Sequence, residues 1–271
     1  MAYRTITSRH NELIKFLARL KQRKERECYG KFLVEGAFEL RRVVHAGVFP
    51  EKLFLCETMT PPTEHSTTSL ADAIASENTE IFSLSDSAYQ KIAYRENPDG
   101  CMGLFSQWAL ELSGLRLSDN PFLMVAESIE KPGNLGSLIR IADAAGVDGL
   151  ILCDPVADLF NPNVIRASRG LIASVPVAQA SAPETMEYLK KHQIVPLLFH
   201  PEATQTLWEQ PWKRPLALVL GSEAIGLSEH WTQHPEAIAC KLPMHGIGDS
   251  LNVSVTAGIA TYEALRHRQS K

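Results

Sequence analysis

FLMVAESIEKPGNLGSLIRIADAAGVDGLILC, residues 122–153, is the stretch from which the rest of the chain can be read. Phe122 to Ala126 is an apolar run of strand length, and Gly149 to Cys153 is another. Between them Leu135, Leu138, Ile139, Ala142 and Ala145 recur at helical spacing, with Asn134 as a suitable N-cap and Gly146 as a suitable stop. The stretch predicts strand, loop, helix, strand, and the uninterrupted apolar strands are of the kind buried on both faces in a parallel sheet. Gly136 and Arg140 fall four residues apart and off the apolar stripe. Glycine inside a helix costs roughly 0.5–1 kcal/mol relative to alanine, so a close approach is expected there. The simplest use of Arg140 is a surface ion pair with Asp143 or Asp148.

Downstream, Ala173–Val177, Ile194–Phe199, Leu216–Leu220 and Ile238–Leu242 are further apolar runs, mostly separated by helix-like segments. This alternation predicts an α/β domain with a mainly parallel sheet, whose ligands gather at the carboxyl ends of the strands. Three loops there carry chemistry. The first is the one just read. In the second, Leu220 runs into Gly221-Ser222-Glu223-Ala224-Ile225-Gly226, a turn of small residues with one carboxylate; glycine at a strand end lets a ligand reach main chain, although Glu223 could equally cap the next helix. In the third, Leu242-Pro243-Met244 leads through a glycine loop to Ser250-Leu251-Asn252-Val253-Ser254 and a helix running to about Arg268. Ser250 is the expected N-cap, Leu251, Val255, Ile259, Tyr262 and Leu265 the expected structural stripe, and Arg266, His267 and Arg268 suit the negative end of the helix. No Gly-x-Gly-x-x-Gly occurs in the chain, which weighs against a nucleotide-dependent oxidoreductase on a doubly wound sheet.

Upstream, Phe32–Val34, a helix from Ala37 to Ala46 stopped by Gly47, and Leu53–Cys56 form a β-α-β pattern. Residues 58–69 read as a Thr- and Pro-rich loop, and short elements continue to Trp108. We therefore expect a small α/β domain over 1–108, a linker at 109–120 and a second domain over 121–271. Leu13, Ile14, Phe16, Leu17 and Leu20 predict an amphipathic helix behind the possible cap Ser8, with Arg19, Arg23 and Arg26 on one exposed face.

The formal net charge of the 271 residues is −4, but residues 1–31 hold nine basic groups against Glu12, Glu25 and Glu27, a local charge of +6 that leaves −10 elsewhere. Only local charge has to face a polyanion, so Arg19, Arg23, Lys24 and Arg26 are candidates for RNA contact. Cys28, Cys56, Cys101, Cys153 and Cys240 lie far apart with no Cys-x-x-Cys pair, which predicts buried thiols and no metal site. No run reaches the roughly 18 residues a membrane span needs and residues 1–10 are polar, so no membrane contact and a cytoplasmic location are expected.

Taken together, Asn134-x-Gly136-x-x-x-Arg140, Leu220-Gly221-Ser222-Glu223-x-x-Gly226-Leu227, and Leu242-Pro243-Met244 followed by Ser250-Leu251-Asn252-Val253-Ser254 resemble, in order and spacing, the three signature motifs of the SpoU (TrmH-like) RNA 2′-O-methyltransferases. The resemblance covers residues 121–268. Arg166-Ala167-Ser168-Arg169-Gly170 looks like the thiostrepton-resistance group, which acts on 23S ribosomal RNA, and residues 1–108 look like the ribosomal-protein-like RNA-binding domain of that group. The resemblance implies a deep trefoil knot near the C-terminus, S-adenosylmethionine as cofactor, and a homodimer formed through the knotted domain. It places the cofactor on main chain at Gly221, Leu242 and Leu251 and on Ser250, with Asn134, Glu223, Ser250 and Asn252 organising the site, Arg140 as the catalytic residue, and Arg166 and Arg169 on RNA. Lys131 departs from the acidic residue that often precedes the proline of the first motif, and could contact RNA. Transfer RNA is the alternative substrate; a non-catalytic RNA-binding protein is the alternative class.

Overall fold

The computed structural model describes residues 3–60 and 67–269, so the loop expected at 58–69 lies outside it over 61–66. In chain order the elements are β1 (Arg4–Ile6), α1 (Glu12–Arg19), α2 (Arg23–Tyr29), β2 (Lys31–Glu35), α3 (Ala37–His45), β3 (Lys52–Leu55), α4 (Thr67–Ile74), β4 (Glu80–Leu84), α5 (Asp86–Ile92) and β5 (Cys101–Ser106). There follow β6 (Phe122–Glu127), α6 (Pro132–Ala145), β7 (Gly149–Cys153), α7 (Pro162–Ala167), β8 (Val177–Ala180), α8 (Ala182–Lys191) and β9 (Val195–Phe199). The last are β10 (Gln205–Thr206), β11 (Leu216–Leu220), α9 (Glu229–Thr232), β12 (Ile238–Lys241) and α10 (Val253–Gln269). The chain forms two compact units, one of the residues up to Trp108 with Asp158–Ser174, the other of Ala109–Ala157 with the residues from Val175.

The first unit is a five-stranded sheet in the order β1-β4-β3-β5-β2. Strands β2 and β3 flank α3 in sequence, yet they do not pair; β5 lies between them, antiparallel to both. Ile14 and Leu17 of α1 are fully buried in a core with Leu33, Phe54 and Tyr89. The cap of α1 is Asn11, which accepts the N–H of Leu13 at 2.9 Å, and not Ser8. The expected single basic helix is two, because the chain turns at Leu20–Gln22 and restarts as α2. Arg26 consequently leaves the exposed face predicted for it and is 1% exposed, ion-paired to Asp158 at 2.6 Å and donating to the carbonyls of Leu20 and Lys21. A buried guanidinium needs its fork of donors filled, and these partners fill it. Asp158 reaches this unit on the segment that carries α7, where Phe160 packs on Phe32 and Trp108. Cys28 is exposed, against expectation, while the other four cysteines are buried.

The second unit is a seven-stranded sheet, parallel throughout, in the order β10-β12-β9-β11-β6-β7-β8. Strands β6, β7 and β11 are buried along their whole length, as their uninterrupted apolar sequences require. The strand expected at 173–177 begins only at Val177: Leu171–Ala173 is a 3₁₀ turn, and Pro176, lacking an N–H, contributes just its carbonyl to Leu150 at the strand entrance.

Helix α10 reverses the expected burial. Its buried residues are Val253, Ala257, Ala260, Thr261 and Ala264, whereas Leu251, Val255, Ile259 and Tyr262 are 36–51% exposed. The small residues let α10 lie close on α6, where a side chain at Gly258 would meet Ile141 at 3.7 Å, and the large apolar residues are left outside. Arg266 and His267 pair with Glu263, while Arg268 donates to carbonyls of Pro121, Trp212 and Arg214. No helix among the described residues is long and apolar enough to cross a membrane.

Candidate functional site

Because every strand of the second sheet is parallel, the loops after β6, β11 and β12 open at the same sheet edge, and β11 sits between β9 and β6 where the strand order changes direction. Ligand crevices in open α/β sheets form at such a reversal. The three loops meet on one carboxylate, Glu223. It accepts from Lys131 Nζ and Asn134 Nδ2 of the first loop, and from Asn252 Nδ2 of the third at 3.0 Å. The amide of Asn252 also donates to Asn134 Oδ1 at 3.1 Å. The Lys131 ammonium, with the Asn134 amide, holds the Glu223 carboxyl below the usual carboxylate range.

The local folding differs from expectation at each loop. Helix α6 starts at Pro132 with Lys131 as its cap, so Asn134 is a buried residue of the first turn and not the cap; proline at the first helical position needs no N–H partner and starts the helix earlier. Glu223 caps no helix; α9 is preceded by Ser228, whose N–H and hydroxyl donate to Glu127 at 2.8 and 2.6 Å and tie the end of β6 to this loop. In the third loop α10 starts at Val253, and Asn252, not Ser250, takes the capping role by accepting the Ser254 N–H at 2.9 Å. Gly221 is required by the chain itself, since a Cβ there would stand 2.3 Å from the Gly226 carbonyl carbon.

Beside this network lies a cavity of about 570 Å³ lined by Gly221, Leu242, Ser250 and Leu251, all four residues chosen from sequence for the cofactor, together with Glu223 and Asn252. A smaller recess of about 230 Å³ shares Lys131 and Glu223 with it and adds Asn134. The main chain from Leu242 to Leu251 makes no main-chain hydrogen bond among the described residues, which leaves its donors and acceptors facing the larger cavity available.

Arg140 is exposed and lines neither hollow. It forms no ion pair with Asp143 or Asp148; Asp148 instead accepts the N–H groups of Ser118 and Phe122 at 2.6 and 2.7 Å. Gly136, one turn before Arg140 in α6, is buried, whereas Arg140 itself is exposed. In the first unit Arg166, Arg169 and Lys24 are exposed, while Arg19 stands 3.7 Å from Glu25 and Arg23 2.6 Å from Glu27. The buried Arg26 cannot reach RNA. Lys131 as the partner of Glu223, and the Glu127–Ser228 tie, had no readable signal, since both depend on which loops meet.

The profile of the SpoU rRNA Methylase family matches residues 121–262. The chain belongs to that family. A second profile, the MRM3-like substrate binding domain, matches residues 11–103. This SpoU family member is 32% identical to an uncharacterized tRNA/rRNA methyltransferase of Synechocystis sp., over 97% of this chain and 94% of that one. It is 27% identical to the 23S rRNA (guanosine(2553)-2′-O)-methyltransferase RlmP of Bacillus subtilis, over 95% and 97% of the two chains. Its fold superposes on the AdoMet-bound rRNA methyltransferase from Sinorhizobium meliloti with a TM-score of 0.87, at 26% identity and 99% coverage of both chains.

Proposed function

We propose that the chain is an S-adenosylmethionine-dependent ribose 2′-O-methyltransferase acting on 23S ribosomal RNA. The observation that carries this reading is the convergence of Asn134, Glu223 and Asn252 beside the cavity lined by Gly221, Leu242, Ser250 and Leu251. Its volume falls in the roughly 300–1,000 Å³ range of cofactor pockets, and its mixture of apolar side chains and uncommitted main-chain groups suits a nucleoside with a charged amino-acid tail. S-adenosylmethionine held there supplies an electrophilic methyl group. Everything else falls to the chain's own residues.

Methyl transfer to a hydroxyl needs alignment above all, with reacting atoms about 3–3.5 Å apart, and loss of one proton. Glu223, kept ionised by Lys131, is too weak a base to lead that step and serves to hold the two asparagines and thereby the loops. A guanidinium is a poor proton acceptor, so we assign Arg140 an electrostatic role: binding the phosphate beside the target ribose and stabilising the developing alkoxide. Its exposure and its absence from the cavity wall support a contact with RNA over one with the cofactor.

We further assign the segment from β12 into α10 to the knotted part of the chain, and to α10 a homodimer contact through Val255, Ile259 and Tyr262, whose spacing puts them on one exposed face. Residues 1–108 serve as the RNA-binding domain, 109–120 as linker and 121–271 as the catalytic domain. A cytoplasmic location follows from the substrate. Calorimetry should detect stoichiometric uptake of S-adenosylmethionine, and labelled methyl should enter 23S RNA but not a substrate with a 2′-deoxy target; no uptake by folded protein refutes the reading. Light scattering of Ile259→Asp against the native chain tests the dimer.

A further inference from the structure

We infer that Phe38 and Arg42 of α3, with Arg169 after α7, form a platform that grips RNA backbone phosphate, a role that rests on the RNA-modifying function proposed above. The three residues lie within one compact unit. Phe38 is 40% exposed at the start of α3, and both guanidinium carbons stand over its ring, Arg42 at 4.3 Å and Arg169 at 4.5 Å from the centroid. Arg42 Nη1 also donates to the Arg169 carbonyl at 3.3 Å.

Two features are not explained by stability. First, the pair of like charges has no carboxylate: neither arginine forms an ion pair among the described residues, and the nearby Glu39 is committed to Arg95 at 2.8 Å. Two guanidiniums on one ring repel each other, and cation–π attraction at an exposed site offsets only about 0.5–1 kcal/mol each. Second, Arg169 sits at φ 54°, a left-handed conformation that costs a non-glycine residue on the order of 1 kcal/mol or more. The strain is imposed by docking. Gly170, at φ 80°, lies so close to α3 that a Cβ there would stand 2.5 Å from the Glu39 carbonyl oxygen. Neighbouring structure thus forces Arg169 over Phe38, and what arrives to balance the charge must be anionic.

RNA fits this better than an acidic protein surface. Planar guanidiniums match phosphate oxygens two by two, and with both forks held over one ring a single phosphate, or two successive ones, can engage both. The ring acts as spacer and positioning residue, not as the contact itself. This differs from the basic residues Arg19, Arg23 and Arg26, each of which already has a carboxylate.

The test uses the full chain and a labelled oligouridylate, with anisotropy read across a salt series, and then 23S RNA in a methylation assay. Arg42→Gln and Arg169→Gln should each weaken RNA binding by about tenfold and lower the salt slope by about one, the signature of one lost phosphate contact. Phe38→Leu should raise KM for 23S RNA with little change in kcat, and Phe38→Tyr should restore it. Uptake of S-adenosylmethionine should be unchanged in all four. An unchanged salt slope in both arginine variants overturns the platform while leaving the methyltransferase reading intact; absent cofactor uptake in the native chain sinks that reading but not the platform. Polyglutamate competing as well as RNA at equal charge also overturns the assignment. Should Arg169→Gln fail to fold, Arg42→Gln, on a regular helix, carries the test.

Discussion

Two ion pairs in this molecule use similar chemistry to different ends. Arg26–Asp158 in the first unit is 1% and 11% exposed; Lys131–Glu223 at the strand ends of the second is 69% and 26% exposed. The first fills a guanidinium with carboxylate and carbonyl acceptors and locks a distant segment into the core. The second leaves its lysine in water and spends the carboxylate on the side-chain amides of two other loops beside a cavity. The difference teaches that the surroundings of a charge, more than its partner, separate structural from functional use.

The largest effect expected is on stability. Arg26→Ala strands Asp158 without its charge partner and should cost about 3–5 kcal/mol in urea unfolding, while the fraction still folded binds cofactor normally; a loss below about 1 kcal/mol would break the contrast between the two pairs. Next comes Arg140, exposed and without an ion pair among the described residues. Arg140→Lys keeps the charge but loses the planar fork, and should lower kcat/KM on the order of 10²-fold or more with unchanged unfolding, where activity near that of the native chain would remove Arg140 from the reaction. Glu223→Ala should lower turnover by about 10-fold to 10²-fold by releasing both asparagines, at a stability cost of roughly 1 kcal/mol, and Glu223→Gln should recover only part of it.

The smallest effect belongs to Lys131→Met, which should change stability by less than about 1 kcal/mol. It sharpens the comparison through pH. The Glu223 carboxyl titrates below its ordinary value when folded, so its stabilisation is present above the unfolded value and is lost as pH falls through the folded one. Without Lys131 that loss should begin at higher pH, and acid titration of cofactor binding in the two proteins measures the displacement.

How far residues announced these roles varies with the range of the interactions. The strands β6, β7, β11 and the middle of β9 were legible because burial on both faces leaves an uninterrupted apolar run, whereas β12, of which only Cys240 is buried, was legible from its short apolar stretch alone, and the three loops were legible as breaks between runs. The cap positions were misread at Ser8, Asn134 and Ser250 because several polar residues stood near each helix start, and tertiary contacts chose among them. The α10 stripe was misread for a stronger reason: periodicity reports that a face is apolar, not which face meets the rest of the chain.

The sequence by itself determined the strand–helix alternation and the mainly parallel sheet of the second unit, because these follow from short-range patterning, while the choice of site residues came from the resemblance of three motifs to a known family. Only tertiary structure decided that Glu223 joins Asn134 and Asn252, that Arg26 is sealed inside with Asp158, and that Arg42 and Arg169 share one aromatic ring. Those pairings span from 29 to 132 positions along the chain. Contacts at such separations are fixed by how whole elements pack and not by any preference of the residues that make them.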